Sequence, residues 1–324
     1  MELLRQGHRD LVCRLSWRRL FMLRLNSTCS ATSTTFPIED SSQVLRHLQF
    51  TKPLPFEKGS RIQESFVRAQ LDMKHLQSKI YRKLRQLESE HPGTTLNHHE
   101  EWILKNISNM KPHPMVLTFE FEPTYTGGKR SKKALSPEDI AKFENFVPQS
   151  QGDHLRPKFV QAERGGQVTF HGPGQVVAYL ILDLKSFDHF PAKCLVSAVE
   201  DSTISALKKT TNSSDGSTLG IEACKTPETG VWINEQEKIA SIGIHVRRSI
   251  TSHGVCINVS PDLSYMNSFV MCGLHGTRAT SIHEQNPKSG CTTQDLAVGF
   301  VNELSKKLGI TTVERVQLED IDLD

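Results

Sequence analysis

A chain of 324 residues, 37% hydrophobic and 23% charged, can build one large domain or two modest ones around a substantial core. No apolar run approaches the roughly 20 residues needed to cross a bilayer, so a soluble protein with no membrane span is expected. The net charge of +3 sits in the leader: residues 1–35 hold six arginines (Arg5, Arg9, Arg14, Arg18, Arg19, Arg24) against Glu2 and Asp10, and without them the 39 basic and 36 acidic residues fall to 33 and 34. So balanced a remainder gives no electrostatic reason to expect nucleic-acid binding.

The leader is also rich in Ser and Thr (Ser27, Thr28, Ser30, Thr32 to Thr35), and Leu11 and Leu15 could share one side of a short helix with Arg14 and Arg18 on another. That is the composition of a mitochondrial transit peptide, whereas a secretory signal needs a continuous apolar core. A basic tail without an address is the plainer alternative. Either way residues 1–38 stand outside the fold. The cysteines are Cys13, Cys29, Cys194, Cys224, Cys256, Cys272 and Cys291. Their odd number and the lack of any C-x-x-C pair argue against a disulfide framework or a zinc site, and no metal or cofactor is expected.

Residues 39–58, with Pro53 and Pro55, predict an extended entry. From Ser60 to Leu87 apolar residues (Ile62, Phe66, Ala69, Met73, Leu76, Ile80, Leu84, Leu87) recur every three or four positions, predicting a long helix that Pro92-Gly93 ends. His98 and His99 follow in a polar stretch and read as solvated loop histidines, since no acid or cysteine stands at ligand spacing. Met115 to Phe121 predicts a strand running into the basic turn Pro123 to Arg130. Residues 131–158 read as polar loop, broken by a short helix that Ser136 caps and Pro137 opens.

The most apolar run, Val176 to Leu184, predicts a buried central strand, and Pro191 opens a helix with Leu195, Val199 and Leu207 on its buried face. Residues 209–229, rich in Ser, Thr, Asn and Gly, predict a mobile loop. Three short strands follow, Gly230 to Asn234, Ile239 to Val246 and Val255 to Val259, the first two close enough to form a hairpin. A last helix starts at Thr292 or Thr293, carries Leu296, Phe300, Val301, Leu304 and Leu308, and stops at Gly309. The acidic tail from Leu318 to Asp324 reads as loosely held. Helices and strands interleave without a βαβ repeat, so the expected fold class is α+β, a mixed β-sheet flanked by helices.

Three places can carry chemistry. Arg164 to Gln175 places four glycines and a proline between loop and buried strand, together with Arg164, Thr169, His171 and Gln175 as hydrogen-bonding side chains. It has neither the G-x-G-x-x-G order of a dinucleotide site nor the G-K-[ST] ending of a phosphate loop, so a ligand loop is indicated with its ligand unnamed. Lys238 starts a strand of small and apolar residues; such a lysine is ordinarily a solvated strand end, but beside a thiol it would accept a proton and hold a thiolate by charge. Cys272, next to Gly273 in a loop, is placed as a nucleophile would be, while Cys194 belongs to a helix, Cys256 to a strand and Cys224 to a loop. Composition alone leaves that choice open, because a cysteine is most often a small buried hydrophobe.

The ordered set R-G-G-Q-V-T-F-H-G-P-G-Q, K-I-A-S-I-G, H-G-V-C-I-N-V and C-G resembles the lipoyl(octanoyl) transferase (LipB) family from about Arg46 to Leu308. The leader and the extra length between Gln77 and Pro114 make it similar to the fungal members. The chain departs from the family pattern at Met271 before the cysteine, at Phe121-Glu122, and in the length of the 209–229 loop.

The resemblance implies the fold of biotin/lipoate protein ligase catalytic domains and the transfer of octanoate from octanoyl-acyl carrier protein to a lysine of lipoyl domains. It implies Cys272 as acyl-thioester nucleophile and Lys238 as its base. The substrate-binding residues it implies are Arg164, Gly165, Gly166, Gln167, Val168, Thr169, Phe170, His171, Ser241, Ile242, Gly243, Gly254, Val255 and Cys256. His171 is then a pocket residue and not the base. The acceptors implied are glycine-cleavage H protein and dehydrogenase E2 subunits, the expected location is the mitochondrial matrix, and the expected state is a monomer. Lys129, Arg130, Arg247 and Arg248 could meet an acidic carrier or simply face water. The organisation expected is a transit peptide over 1–38, an N-terminal helical segment over 39–112 packed on the catalytic domain, that domain over 113–310, and a tail over 311–324. An ATP-dependent lipoate ligase of the same fold and a non-catalytic lipoyl-domain binding protein are the alternatives.

Overall fold

A computed structural model describes residues 35–91, 96–132, 134–148, 155–213, 215–269 and 276–321. Residues 1–34 of the leader, Pro92-Gly93 and Cys272 therefore lie outside the described residues, whereas residues 35–38, expected outside the fold, are tied into it: Pro37 bridges Phe187, and the Ile38 N–H donates to the Ser186 carbonyl at 2.9 Å. The strands are β1 (Val44–Phe50), β2 (Met115–Phe119), β3 (Thr124–Gly127), β4 (Lys158–Gln161), β5 (Thr169–His171), β6 (Gln175–Ile181), β7 (Val231–Trp232), β8 (Glu237–Arg247), β9 (Ile250–Asn258), β10 (Arg278–Ala279) and β11 (Thr312–Leu318). The helices are α1 (Phe56–Glu90), α2 (His98–Asn109), α3 (Pro137–Glu144), α4 (Ala192–Lys209), α5 (Ser264–Asn267), α6 (Ile282–Gln285) and α7 (Thr293–Lys307).

The main sheet runs β10-β8-β9-β6-β2-β1-β11, with β7 also paired to β8. It is mixed: β1 is parallel to both β2 and β11, while β2, β6, β9 and β8 follow one another antiparallel. A smaller sheet, β4-β3-β5, stands beside it. Alternation along β6 decides which side each residue serves. Val177, Tyr179 and Ile181 face α1 in a core that includes Phe56, Ile62, Val67, Phe119 and Phe121. On the other side α4 and α7 pack on one another, with α7 against β6. The α+β reading with a mixed sheet between helices describes this arrangement.

The sequence signals that mark element ends act locally. Ser136 caps α3 by accepting from the Asp139 N–H, with Pro137 in the first turn. Thr292 and Asp295 form a reciprocal capping box on α7. Further expectations change. Residues 44–50 are not an extended entry but strand β1, between β2 and β11. The C-terminal stretch begins as the end of β11, and beyond it Glu319 and Asp320 pair with Lys52 and Lys58. His98 and His99 are not loop residues; they open α2, because Asn97 and Glu100 build a capping box immediately around them. Lys158 to Gln161, in part read as loop, joins the small sheet through β3.

Candidate active site

A cavity of about 190 Å³ lies where α1, the glycine-rich loop, β6, β8 and β9 meet. Its wall holds Arg164, Gly166, Gln167, Thr169 and His171 from the loop, Lys238, Ser241, Ile242 and Gly243 from β8, and Gly254, Val255 and Cys256 from β9. Gly165, Val168 and Phe170, singled out by sequence, are not in that wall. The period of two along β5 explains the last two: Thr169 and His171 turn to the cavity, while Val168 and Phe170 join Tyr125 and Tyr265 in a separate aromatic core, with Phe170 stacked on Tyr265 at 4.4 Å.

Arg164 is buried and its guanidinium is fixed by the small sheet. Nη2 donates to the Thr126 carbonyl at 2.6 Å and to Thr126 Oγ1 at 2.9 Å, and Nη1 donates to the Gly165 carbonyl at 3.0 Å. Backbone bonds from Gly128, Lys129 and Arg130 to Gln167, Arg164 and Gly166 tie the loop to the turn after β3. The fixed cation acts on its neighbours. Burial, then the Arg164 charge, pull the pKa values of His171 and His253 down to about 3, so both rings are neutral at physiological pH. Burial pushes the Cys256 thiol and the Tyr179 phenol up, which keeps them protonated. Cys256 is thus an inert wall residue.

Several wall residues escaped sequence reading: Phe56, Val177, Tyr179, Pro227, Glu228, Thr229 and His253, while Arg130, considered only for an acidic carrier, also lines the cavity. Phe56 stacks on the His171 ring, centroids 5.6 Å apart. Tyr179 meets the edge of His253 at 5.4 Å because the β6–β9 register sets it opposite Gly254. A Cβ at Gly254 would overlap the Ala178 carbonyl oxygen and Leu180, so glycine is what lets the two strands close here. His253 itself holds a left-handed φ of 60° within β9, and its N–H donates to the Gln63 side chain of α1 at 2.5 Å. That inward-turned histidine was announced only by its place before Gly254.

Lys238 is not a solvated strand end: it is 3% exposed. Its Nζ donates to the Thr229 carbonyl at 2.8 Å and lies 4.9 Å from the centre of the Trp232 ring. The loop after α4 builds this seat. Cys224 and Trp232 exchange backbone hydrogen bonds at 2.7 and 3.0 Å, the Trp232 indole donates to the Glu228 carbonyl, and Gly230 N–H donates to Glu200. Leu219 and Ile221 anchor the same segment in the interior. Residues 209–229 thus carry structure that polar composition concealed.

Residues 96–305 match the lipoyl protein ligase A/B catalytic domain. The chain is 59% identical over 303 residues to a mitochondrial octanoyltransferase of Kluyveromyces lactis, covering 92% of this chain and 91% of that one. It is 59% identical over 292 residues to the Saccharomyces cerevisiae mitochondrial octanoyltransferase, with 89% of each covered. Among solved structures, lipoate-protein ligase A bound with ATP is similar at 10% identity and a TM-score of 0.46, over 64% of this chain and 76% of that one. The chain belongs to the lipoyl protein ligase A/B catalytic-domain family and, within it, to the mitochondrial octanoyltransferases.

Proposed function

We propose that the chain carries octanoate from octanoyl-acyl carrier protein to a lysine of a lipoyl domain through a thioester on Cys272, with Lys238 as proton acceptor. The observation that carries this reading is a buried lysine in the wall of an acyl-sized cavity whose histidines are neutral. A zebrafish relative, 35% identical over 187 residues, is named for octanoyl transfer from acyl carrier protein to protein.

An ordinary thiol, pKa about 8.5, is only a few per cent ionised near neutral pH; an ammonium within reach raises that fraction. The Cys272 thiolate adds to the donor carbonyl, the C–S bond to the carrier breaks, and the carrier thiolate takes the proton of the Lys238 ammonium, which leaves Lys238 neutral. The acceptor lysine, as free amine, then adds to the octanoyl-Cys272 carbonyl, Lys238 in its neutral form takes the amine proton, and the Cys272 thiolate leaves. Thioester to amide runs downhill, so ATP has no role. Octanoyl burial among Phe56, Val177 and Val255 contributes several kcal/mol at roughly 0.8 per methylene.

The acceptors proposed are glycine-cleavage H protein and dehydrogenase E2 domains, the enzyme acts as a monomer, and the arginine-rich leader is its mitochondrial transit peptide. Turnover of octanoyl carrier protein and a lipoyl domain, with and without ATP, tests the reaction. The expected result is transfer without ATP that disappears in Cys272→Ser and in Lys238→Ala. A requirement for ATP, or transfer surviving Cys272→Ser, overturns it.

A further inference from the structure

Cys272 lies on the chain between α5 and β10, and one side chain hydrogen-bonds directly from one described stem of that segment to the other. Asn267, the last residue of α5, accepts from the Ala279 N–H through Oδ1 at 2.7 Å and donates through Nδ2 to the Ala279 carbonyl at 3.2 Å. Only one orientation of the carboxamide satisfies both bonds.

The position of Ala279 gives the clasp its meaning. Strand β10 runs parallel to the start of β8, with Ala279 opposite Lys238. The Arg278 N–H donates to the Gln236 carbonyl at 2.8 Å and the Thr280 N–H to the Lys238 carbonyl at 3.0 Å. Ala279, between them, turns its own N–H and C=O away from β8, and both are taken by Asn267. The side chain thus does for the edge of β10 what a further strand would do.

Each stem has other anchors, and Tyr265, Met266 and Ala279 also share an apolar core. The α5 stem is held by Tyr125, whose hydroxyl donates to the Tyr265 carbonyl at 2.8 Å. The β10 stem is held by β8 and by Asn258, whose Nδ2 donates to the Thr280 carbonyl at 2.8 Å. Asn267 bridges the two directly, at the residue facing Lys238. Its side chain is exposed, so replacing it opens no core cavity.

We propose that Asn267 is a positioning residue for octanoyl transfer: its clasp on Ala279 sets the ends of the Cys272-bearing segment against Lys238. The proposal rests on the reading that Cys272 and Lys238 act as a pair.

The test compares Asn267→Ala, Asn267→Asp and Lys238→Ala with the wild-type chain. The pH dependence of Cys272 alkylation by iodoacetamide is mapped by peptide mass, and kcat and KM for octanoyl transfer are measured alongside. Asn267→Ala is expected to move the alkylation midpoint toward that of Lys238→Ala and to lower kcat roughly tenfold or more with the donor KM nearly unchanged, as a misplaced reacting group does. Asn267→Asp keeps the acceptor for the Ala279 N–H but loses the donor, and falls between. A wild-type alkylation profile and kcat in Asn267→Ala overturn the proposal; where that variant does not unfold cooperatively, the same result in Asn267→Asp does so. A Lys238→Ala chain with an unshifted Cys272 midpoint overturns the pair itself and the proposal with it, whereas a shift in Lys238→Ala with none in the Asn267 variants overturns the clasp alone.

Discussion

Replacing Gly230 by alanine tests how the Lys238 seat is built. Gly230 has φ 133°, which L residues rarely adopt, and a Cβ there would stand 2.5 Å from Lys238 Cε, 2.6 Å from the Ala240 carbonyl oxygen and 3.0 Å from Lys238 Nζ. Non-bonded carbons settle at about 3.5–4.0 Å, so methyl and lysine cannot both remain. The backbone strain costs about 1–3 kcal/mol. Expelling Lys238 forfeits a charged hydrogen bond to Thr229, about 1.5–3 kcal/mol, and the Trp232 contact, about 1–2 kcal/mol. The sum, about 4–8 kcal/mol, rivals the 5–15 kcal/mol that holds an ordinary domain together. Urea unfolding and octanoyl transfer are measured for Gly230→Ala, Lys238→Ala and the double variant. Gly230→Ala should transfer no faster than Lys238→Ala, and the double variant should be less destabilised than the two single losses added together, because the lysine components are removed only once. Wild-type transfer in Gly230→Ala, or strict additivity of the two losses, refutes the seat as described.

Two further outcomes follow from buried polar groups. The pKa values of His47, His171 and His253 are drawn down to about 4, about 3 and about 3, by burial first and then by Arg315 for His47 and by Arg164 for the other two. The unfolded chain takes up these protons as pH falls through about 6.5 while the folded one resists down to its own lower values, so stability declines from about pH 6.5 toward pH 3, by about 2 kcal/mol per histidine at pH 5. The urea midpoint should therefore be clearly lower at pH 5 than at pH 7, and equal midpoints would exclude neutral buried rings. Gln63→Leu strips the buried His253 N–H of its acceptor and should cost about 1–3 kcal/mol in urea unfolding, whereas a loss near zero would show that the α1 contact does not hold the left-handed turn.

Elements announced by local chemistry were legible in the sequence: the apolar stripe of α1, the Ser136-Pro137 start of α3, the Thr292 capping box of α7 and the apolar run of β6. Strands β1 and β11 were not, because their partners are brought from opposite ends of the chain and β11 is largely exposed, leaving little apolar alternation to read. The start of α2 was written in Asn97 and Glu100, a capping box hidden behind two histidines. At the site the same division holds. Composition marked the glycine-rich loop, but Phe56, Tyr179 and His253 come from α1, β6 and β9, and only the sheet register and the packing of α1 bring them together. Nor did sequence distinguish the two sides of β5, although the period of two placed Thr169 and His171 apart from Val168 and Phe170.

The proposed reaction passes through a covalent octanoyl-enzyme at Cys272, which intact-protein mass spectrometry detects after mixing with octanoyl carrier protein. The expected result is one octanoyl group added, mapped by peptide mass to Cys272, absent in Cys272→Ser, and discharged when a lipoyl domain is added. No adduct on the wild-type protein, or an adduct that persists in Cys272→Ser, contradicts it.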